Sequence, residues 1–576
     1  MARIGWALLA ACVLLLPVAT ANTYYLYIVA SAGLLTVVAA GLNVLVGFSG
    51  QISLGHAGFY AIGAYTAALC AVRLGWSPGV AFIAAILIAA LVGAGVAGAA
   101  LRVSGPYLAM VTIAFGIIVE GILVEWVSVT GGPGGIFRIP KPTLVRSYWI
   151  IMAVAALALW LMRNLRRSAW GRAFLAVRGS DVAAESLGLS GYYVRIIAFT
   201  VSAGFAGAGG ALFAFLNGYI SPDSFTLQTS ILFLLALLFG GEGTVAGPAV
   251  GSLVLTLLPE LLTSLADYRL IIYGSLLMCS IYWLPAGVVG AFRRNRPAAK
   301  EAAADSARPE EAPPRSRERP APEAALLEVD GLSIAFGGVA ALAGVSLAAP
   351  PRGIQAVIGP NGAGKTSLLN VLSGFYVPDA GRIQLAGEPV TGRAPYLIAR
   401  RGVARTFQTA QLFGDLTVLE NVAVGLAGSG PGGVLSAMLG LPGQRRRETE
   451  FGRRARALLT RAGLAEWADQ PAEALPAGLR RRLEIVRALA TGPQLLLLDE
   501  PAAGLSPTEI QDLDRDLTVL REAGPAIVLV EHHMDLVMAV SDRITVLDYG
   551  RVIASGPPEA VRNDPAVIEA YLGAGV

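Results

Sequence analysis

The chain has 576 residues, of which 55% are hydrophobic and only 15% are charged, and its mean hydropathy is +0.62. This composition excludes a protein built only from soluble globular domains, and the length exceeds what one hydrophobic core can organise. The net charge of +4 reflects arginines in loops that flank apolar runs, so membrane topology explains it better than a nucleic-acid partner does. Because the first 290 residues contain few charges, the sequence predicts a membrane domain followed by a soluble domain.

The membrane domain, residues 1–292, is predicted to be all-α and polytopic, with about eight to ten transmembrane helices. Its third apolar run lies in GFSGQISLGHAGFYAIGAY, where glycine and polar residues favour a discontinuous or re-entrant element. The first 21 residues resemble a signal peptide, but the apolar run that follows at once favours an uncleaved first helix. The apolar runs lie at residues 5–20, 24–46, 52–71, 78–101, 106–129, 147–162, 192–216, 226–241, 245–263 and 269–291.

Polar side chains interrupt these runs at Asn43, Gln51, Ser53, His56, Glu120 and Glu125. Polar groups inside a bilayer are costly, so each is a candidate for contact with a transported solute. The alternative, which we favour, is structural: Asn43 and His56 would form hydrogen bonds between helices, and Glu125 would reach the interface from the end of its span. The two interpretations differ in whether these side chains find partners on neighbouring helices.

Clustered arginines set the predicted orientation, because short cytoplasmic loops are enriched in basic residues. One cluster lies at 163–178 and another at 293–296, with four spans between them, so both clusters and the N-terminus fall on the cytoplasmic side. The first cluster belongs to an excursion from Leu165 to Arg195. Within it, DVAAESLGL (181–189) predicts a short amphipathic helix that must dock on something in the cytoplasm.

Residues 293–324 are rich in Pro, Ala, Arg and Glu and contain no aromatic residue. Such a segment cannot bury enough apolar surface to fold, so we predict a disordered cytoplasmic linker. A flexible coil of this length has an r.m.s. reach of roughly 30 Å. The soluble domain is then predicted to occupy residues 325–576.

A phosphate-binding loop is the clearest motif of the soluble domain. GPNGAGKT (359–366) is a complete GxxxxGK[ST] between an apolar strand and a helical pattern. Glycines let backbone N–H groups converge on phosphates, Lys365 is placed to meet the β and γ oxygens, and Thr366 to ligate Mg²⁺. The predicted ATP-binding residues of this loop are Gly359, Asn361, Gly362, Ala363, Gly364, Lys365, Thr366 and Ser367.

Two further apolar strands end in polar groups. LLLLDEP ends at Asp499, predicted to hold Mg²⁺, and at Glu500, predicted as general base for the attacking water. IVLVEHHMD ends at Glu531, His532 and His533, where an α/β site gathers its polar side chains. Zinc binding by the two histidines is the alternative, although the sequence offers no third ligand nearby.

The order of these motifs resembles the ATP-binding cassette of ABC transporters from about residue 325 to 576. The matching stretches are Phe336, GPNGAGKT, TFQ (406–408), LPAGL (475–479), LLLLDEP, AAGLSP (502–507) and EHH. The resemblance implies that Phe336 stacks on adenine and that Gln408 senses the γ-phosphate and Mg²⁺. It also implies that Ser506 lies in the D-loop and that His532 is the switch histidine, a catalytic residue.

The resemblance can be narrowed to one subfamily of ABC transporters. TFQTAQLFGDLTVLENV, RRLEIVRAL and NDPAVIEAYLG look like branched-chain amino acid (Liv-type) cassettes, and GLNVLVGFSGQISLGHAGFYAIGAY with TGGPGGI is similar to their M-type permease. The resemblance implies one permease fused to one cassette, a coupling helix at 178–190, and ATP-driven uptake across the bacterial inner membrane. Branched-chain amino acids are the implied solutes, with urea, amides or aromatic acids as alternatives. A periplasmic solute-binding protein, a second permease and a second cassette are the implied partners.

Two other function classes are disfavoured. An ABC exporter would be expected to place long cytoplasmic helical extensions in six spans, which the GQISLGHAG element and many short spans do not match. A membrane-tethered nucleotide-binding regulator without transport is disfavoured by the intact Glu500.

The signature loop departs from the family pattern LSGGQ. Leu475 and Gly478 match, whereas Pro476, Ala477 and Leu479 replace Ser, Gly and Gln. In the family this loop binds the nucleotide of the partner cassette in trans, and Pro lacks both the hydroxyl and a backbone N–H, so the resemblance implies a weakened signature here. The second permease and cassette could come from a different chain or from a second copy of this one, and the departure leads us to the hypothesis of an asymmetric heterodimer, since a homodimer would have two weakened sites. The arginines at 480–482 are predicted to begin the helix behind the loop.

Overall fold

The computed structural model describes residue 17, residues 22–101 and 105–261, part of 268–294, and residues 325–428 and 430–572. The chain divides into two compact units. The membrane unit comprises residues 1–174, 192–301 and 434–440, and the cassette unit comprises residues 175–191, 302–433 and 441–576. The first predicted span, apart from residue 17, and most of the predicted linker lie outside the described residues.

Helices make up most of the described part of the membrane unit. Its helices are Thr23–Leu42, His56–Val72, Pro78–Ala100, Pro106–Glu125, Val127–Thr130, Leu144–Arg167, Gly191–Asn217, Leu227–Gly240, Gly247–Leu261, Gly287–Arg294 and Val434–Leu439. Six helical segments of the described residues are long and apolar enough to cross a bilayer, and shorter apolar helices lie at His56–Val72 and Gly247–Leu258. The tenth predicted span is described in part, and the second to ninth each coincide with a helix. The predicted polytopic helical domain is thereby confirmed.

The third span is interrupted as the sequence predicts. The helix that begins at Thr23 continues as a π-helix over Asn43–Phe48, and a regular helix resumes only at His56. Gly55 crosses closely over another helix, since a Cβ added there would lie 2.0 Å from the Thr112 carbonyl oxygen. Glycine is therefore required where the backbones meet.

The buried polar side chains of this region bond to neighbouring segments. Asn43 donates from Nδ2 to the Thr244 carbonyl at 2.8 Å and accepts from the Gly243 N–H at 2.8 Å. His56, fully buried, lies 2.8 Å from Ser53 Oγ and 2.7 Å from Ser202 Oγ. Both side chains are engaged in packing between segments, in agreement with the structural interpretation.

The cassette unit contains two sheets. Its strands are β1 (Leu327–Phe336), β2 (Val339–Ala349), β3 (Ile354–Ile358), β4 (Ala380–Leu385), β5 (Glu388–Pro389), β6 (Val403–Arg405), β7 (Leu495–Asp499), β8 (Ala526–Val530), β9 (Arg543–Asp548) and β10 (Arg551–Gly556). The six-stranded sheet has the order β10-β9-β3-β8-β7-β6, and an antiparallel sheet has the order β2-β1-β4-β5. Strands β3, β7 and β8 are parallel neighbours buried along their whole length, so their carboxyl ends meet at one edge.

Helices cover the larger sheet, and three of them also form an apolar cluster with one another. The helices of the cassette unit are Asp181–Ser186, Lys365–Leu372, Pro395–Arg400, Val418–Ala427, Pro442–Arg461, Ala477–Ala490, Pro507–Ala523, Met534–Val540, Pro558–Arg562 and Pro565–Leu572, together with the end of Ala169–Gly179. Val418, Leu459 and Leu483 belong to one buried cluster, which joins three of these helices away from the sheet. The predicted α/β nucleotide-binding fold is confirmed.

The predicted docking segment lies in the cassette unit. Ser180 caps the helix Asp181–Ser186 by accepting from the Ala183 N–H at 3.2 Å, and Ala183 and Leu187 are buried. Arg400 Nε donates to the Gly188 carbonyl at 2.9 Å. Residues 175–191, which lie in sequence between two membrane helices, therefore pack with the nucleotide-binding fold.

Candidate nucleotide-binding site

The phosphate-binding loop joins β3 to the helix Lys365–Leu372. Gly359 has φ +150° and Gly364 has φ +99°, and added Cβ atoms would lie 2.0 Å from the Leu547 carbonyl oxygen and 2.4 Å from that of Ala341. Both positions therefore require glycine for conformation and for space. The loop ends on a helix N-terminus, where backbone N–H groups favour an anion.

Lys365 lies over this loop. Its Nζ donates to the carbonyl oxygens of Gly359 at 2.7 Å and Pro360 at 2.9 Å. Burial lowers the pKa of Lys365, and the carboxylates of Glu500 and Asp499 oppose that shift. The ammonium is thus held inside the loop, at the position where the sequence expects phosphate oxygens.

Asp499 ends β7 next to a buried cation. Its Oδ2 is 3.1 Å from Arg405 Nη2, and both side chains are 3% exposed. Burial raises the pKa of Asp499, and Arg405 opposes this effect by charge and hydrogen bonding. Within the described residues, the buried Oδ1 of Asp499 has no hydrogen-bond partner. A free carboxylate oxygen fits the oxygen ligands that Mg²⁺ prefers.

A cavity of about 440 Å³ brings several predicted residues together. Thr366, Gln408 and Asp499, the three predicted Mg²⁺ ligands, all line it, and so does Val182 of the docking segment. Tyr376 also lines the cavity, and its ring lies 5.0 Å from that of Phe336, which is 45% exposed. The predicted adenine-stacking residue is therefore an exposed aromatic beside the cavity, and its role stays a prediction.

The three predicted catalytic side chains meet. Glu500 Oε2 accepts from Gln408 Nε2 at 2.9 Å, and Glu500 Oε1 lies 2.9 Å from His532 Nε2. Glu500 has φ +45°, a conformation that costs energy outside glycine, and its N–H donates to the Val530 carbonyl at 2.8 Å. The neighbouring strands β7 and β8 thus fix the carboxylate between an amide and an imidazole.

Glu531 supports this group, a role that the motif analysis missed. Its Oε1 accepts from the Ala502 N–H at 2.6 Å, and its Oε2 accepts from the N–H groups of His532 at 2.9 Å and His533 at 3.3 Å. The buried carboxylate therefore ties the segment after β7 to the segment after β8. In the part of the chain that the structure describes, no three His, Cys, Asp or Glu side chains form a group that could hold a metal ion.

The signature loop leads into the helix Ala477–Ala490. Pro476 is the N-cap of this helix, and its side chain offers no hydrogen bond there. Pro476 and Ala477 are exposed, whereas Leu479 packs against the apolar cluster around Leu483. The replacement of Gln by Leu therefore serves the core, and the replacements at 476 and 477 change the exposed surface.

The D-loop serine is also an N-cap. Ser506 donates from Oγ to Glu509 Oε2 at 2.8 Å and caps the helix Pro507–Ala523. Glu509 in turn reaches the signature loop, since a Cβ added at Gly478 would lie 1.9 Å from its Oε1. Glu509 therefore links the two loops within this chain.

Comparisons with known families agree with both units. The family "Branched-chain amino acid transport system / permease component" matches residues 24–281, and the family "ABC transporter" matches residues 342–503. The family "Branched-chain amino acid ATP-binding cassette transporter" matches residues 551–576.

Individual relatives match each half. The high-affinity branched-chain amino acid transport ATP-binding protein LivG of Escherichia coli K12 is 47% identical over 249 residues, which is 43% of this chain and 98% of LivG. BraF of Pseudomonas aeruginosa is 44% identical over 249 residues, again 43% of this chain and 98% of the relative. The permease protein LivM of Escherichia coli K12 is 35% identical over 280 residues, covering 43% of this chain and 66% of LivM.

The permease and cassette matches fall on different halves of one polypeptide, and nearly the full length of LivG is covered. The chain belongs to the branched-chain amino acid family of ABC transporters, as a multi-pass membrane protein that joins a permease to an ATP-hydrolysing cassette.

Proposed function

We propose that this chain is the combined permease and ATPase subunit of an importer that takes up branched-chain or related hydrophobic amino acids across the bacterial inner membrane. One observation carries the proposal: the group Gln408, Glu500 and His532 belongs to the same compact unit as residues 175–191. Those residues lie in sequence between membrane helices. Hydrolysis can therefore act on the membrane domain through a segment that the membrane domain itself supplies.

The solute and the direction rest on the relatives. LivG, BraF and LivM are named for high-affinity branched-chain amino acid transport, and this chain contains a counterpart of the ATP-binding and the permease components. We infer that the cassette and the N-terminus face the cytoplasm, because the arginine clusters follow the positive-inside rule. A periplasmic solute-binding protein would deliver the amino acid.

The chemistry follows from the site. Glu500 is the proposed general base, since its carboxylate is oriented by Gln408 and His532 and can accept a proton from a water aimed at the γ-phosphate. Lys365 would exchange its bonds to loop carbonyls for phosphate oxygens. Thr366, Asp499 and Gln408 would hold Mg²⁺, which supplies charge neutralisation at the phosphates when bound.

The assembly needs more than one chain, because each polypeptide supplies one permease and one cassette. We infer an asymmetric heterodimer. The exposed Pro476 presents neither a hydroxyl nor a backbone N–H to a phosphate held by another cassette. The site around Lys365 would work with a sound signature loop from a partner, and the loop at 475–478 would close a slower site.

Uptake into proteoliposomes tests the proposal. The full-length chain, assembled with a second permease and cassette, is reconstituted with ATP and Mg²⁺ enclosed and with solute-binding protein and labelled leucine outside. ATP-dependent accumulation of leucine inside supports the proposal, and Glu500→Gln should abolish it.

Two outcomes would contradict this proposal. Accumulation of urea, an amide or an aromatic acid without leucine would assign the alternative solutes. Unchanged leucine transport by Glu500→Gln would show that hydrolysis at this cassette does not drive uptake and would favour a regulatory role for its nucleotide binding.

A further inference from the structure

The three consecutive arginines behind the signature loop have different environments. Arg480 is exposed, and Arg482 pairs at the surface with Asp512 at 3.7 Å and Asp516 at 3.3 Å. Arg481 is only 5% exposed. A buried guanidinium is costly unless its donors are satisfied, so its contacts indicate what it is for.

Arg481 bridges two segments of the catalytic site. Its Nη1 donates to the Phe407 carbonyl, and its Nη2 donates to the carbonyls of Gln408 and, at 3.2 Å, Glu500. The side chains of the same two residues also meet, with Gln408 Nε2 donating to Glu500 Oε2 at 2.9 Å. One planar group thus holds both residues by their main chains.

Glu484 completes the arrangement from the next turn of the helix. Its Oε2 accepts from Arg481 Nη1 at 2.9 Å, and its Oε1 accepts from the N–H groups of Phe407 and Gln411, both at 3.2 Å. The side chain is 0% exposed. Donors and an acceptor on one helical face therefore fix the segment 407–411 by its carbonyl and N–H groups together.

We propose that Arg481 and Glu484 are positioning residues for ATP hydrolysis, which set the placement of Gln408 relative to Glu500. The inference rests on the proposed catalytic roles of those two residues. Neither Arg481 nor Glu484 lines the cavity beside Thr366 and Asp499, so they act through the backbone that they hold. Nucleotide binding depends on the phosphate-binding loop and should not depend on them.

The test uses Arg481→Lys and Glu484→Gln in the full-length chain assembled with its partner subunits. Lysine keeps the charge but cannot fork across three carbonyls, and glutamine turns an amide N–H₂ toward groups that need an acceptor. We expect each variant to lower kcat on the order of 10- to 100-fold, because a displaced catalytic group costs that much. KM for ATP and the Kd for a non-hydrolysable ATP analogue should stay within about twofold.

Matched controls come from the same helix turn. Arg480→Lys and Arg482→Lys make equal changes at neighbouring positions and should leave kcat within about twofold, because surface ion pairs contribute little. Glu500→Gln tests the underlying assignment separately. If this variant still hydrolyses ATP, Glu500 is not the general base and the inference loses its basis. Loss of hydrolysis in Glu500→Gln with normal kcat in both Arg481→Lys and Glu484→Gln would overturn the positioning role alone.

A purely structural role of Arg481 and Glu484 would give a different experimental result. If Arg481→Lys and Glu484→Gln lower the Tm and weaken analogue binding in proportion to the loss of hydrolysis, the pair only supports the fold and the proposal is wrong. A fall in kcat with unchanged Kd and Tm supports it. Glu484→Gln changes one atom type without changing volume, so it remains informative if Arg481→Lys does not fold.

Discussion

The phosphate-binding loop and the signature loop are both short turns that lead into a helix, yet their chemistry is opposite. Gly364 caps the first helix in the left-handed conformation and is followed by Lys365, with its ammonium inside the loop. Pro476 caps the second helix in extended conformation, without a side-chain hydrogen bond. The first loop is suited to hold an anion, whereas Pro476 offers neither a hydroxyl nor an N–H to one. We therefore propose that one chain carries a strong and a weak half of a composite site.

The largest expected effect comes from the strong half. Lys365→Ala removes the one ammonium of the phosphate-binding loop and should lower ATP hydrolysis by about 10²- to 10³-fold in the assembled transporter. A steady-state phosphate-release assay measures this. Arg352→Ala, an exposed basic residue just before β3, is the control and should change little. A rate for Lys365→Ala within twofold of the unaltered chain would contradict the assigned loop.

The next effect concerns assembly. The purified chain alone should hydrolyse ATP slowly, because any dimer that it forms closes two weak signature loops. Addition of the second permease and cassette should raise the rate per site on the order of tenfold, a difference of about 1.4 kcal/mol in the barrier. An ordinary importer rate from the chain alone would remove the functional difference between the two loops.

Repair of the weak half should have a smaller effect. Pro476→Ser returns a hydroxyl and a backbone N–H, and one net hydrogen bond of about 1 kcal/mol corresponds to a roughly fivefold higher rate for the chain alone. Pro442→Ser changes a proline at the start of another helix and serves as the control. An unchanged rate in a folded Pro476→Ser variant would place the weakness elsewhere.

The smallest effect is on stability. Gly478→Ala would push Glu509 away from the signature loop and disturb its capping of Ser506, which should destabilise the cassette by about 1 kcal/mol. Gly452→Ala is the matched control, because an added Cβ there meets open space within the helix Pro442–Arg461. That change should instead stabilise by about 0.5–1 kcal/mol. Thermal unfolding of the two variants should therefore shift in opposite directions.

The sequence predicted those parts of the site that local pattern determines. The apolar strand that ends at Asp499 and Glu500, and the glycines before Lys365, are patterns of a few residues that predict the local backbone directly. Their convergence follows from the parallel order of β3, β7 and β8. The broken third span was also readable, because glycine and polar residues within an apolar run are local signals.

Contacts between distant segments could not be predicted in this way. Arg405 and Asp499 are 94 residues apart, and Arg481 and Phe407 are 74 apart. Three adjacent arginines look equivalent in sequence, and only the packing of their helix against the sheet edge decides which one is buried. The inward orientation of Leu479 has the same origin, since helical phase places it on the face of Leu483.

The helix Ala477–Ala490 has one further consequence. Its fourteen residues span about 21 Å as a rigid rod. Pro476 lies at its start, and about one turn later Arg481 donates to the backbone carbonyls of Gln408 and Glu500. Arg487 lies near its end, with its guanidinium 4.6 Å from the Phe413 ring. Burial lowers the pKa of Arg487 to about 10, which still leaves it charged at neutral pH.

Phe413 in turn lies beside Gly179, since a Cβ added at Gly179 would be 3.5 Å from its ring. The helix therefore connects the signature loop, the backbone of Gln408 and Glu500, and the Phe413 ring along one rigid element. Because the helix is one rigid element, we expect a displacement of the signature loop to reach the backbone of Glu500 and the ring beside Gly179 together.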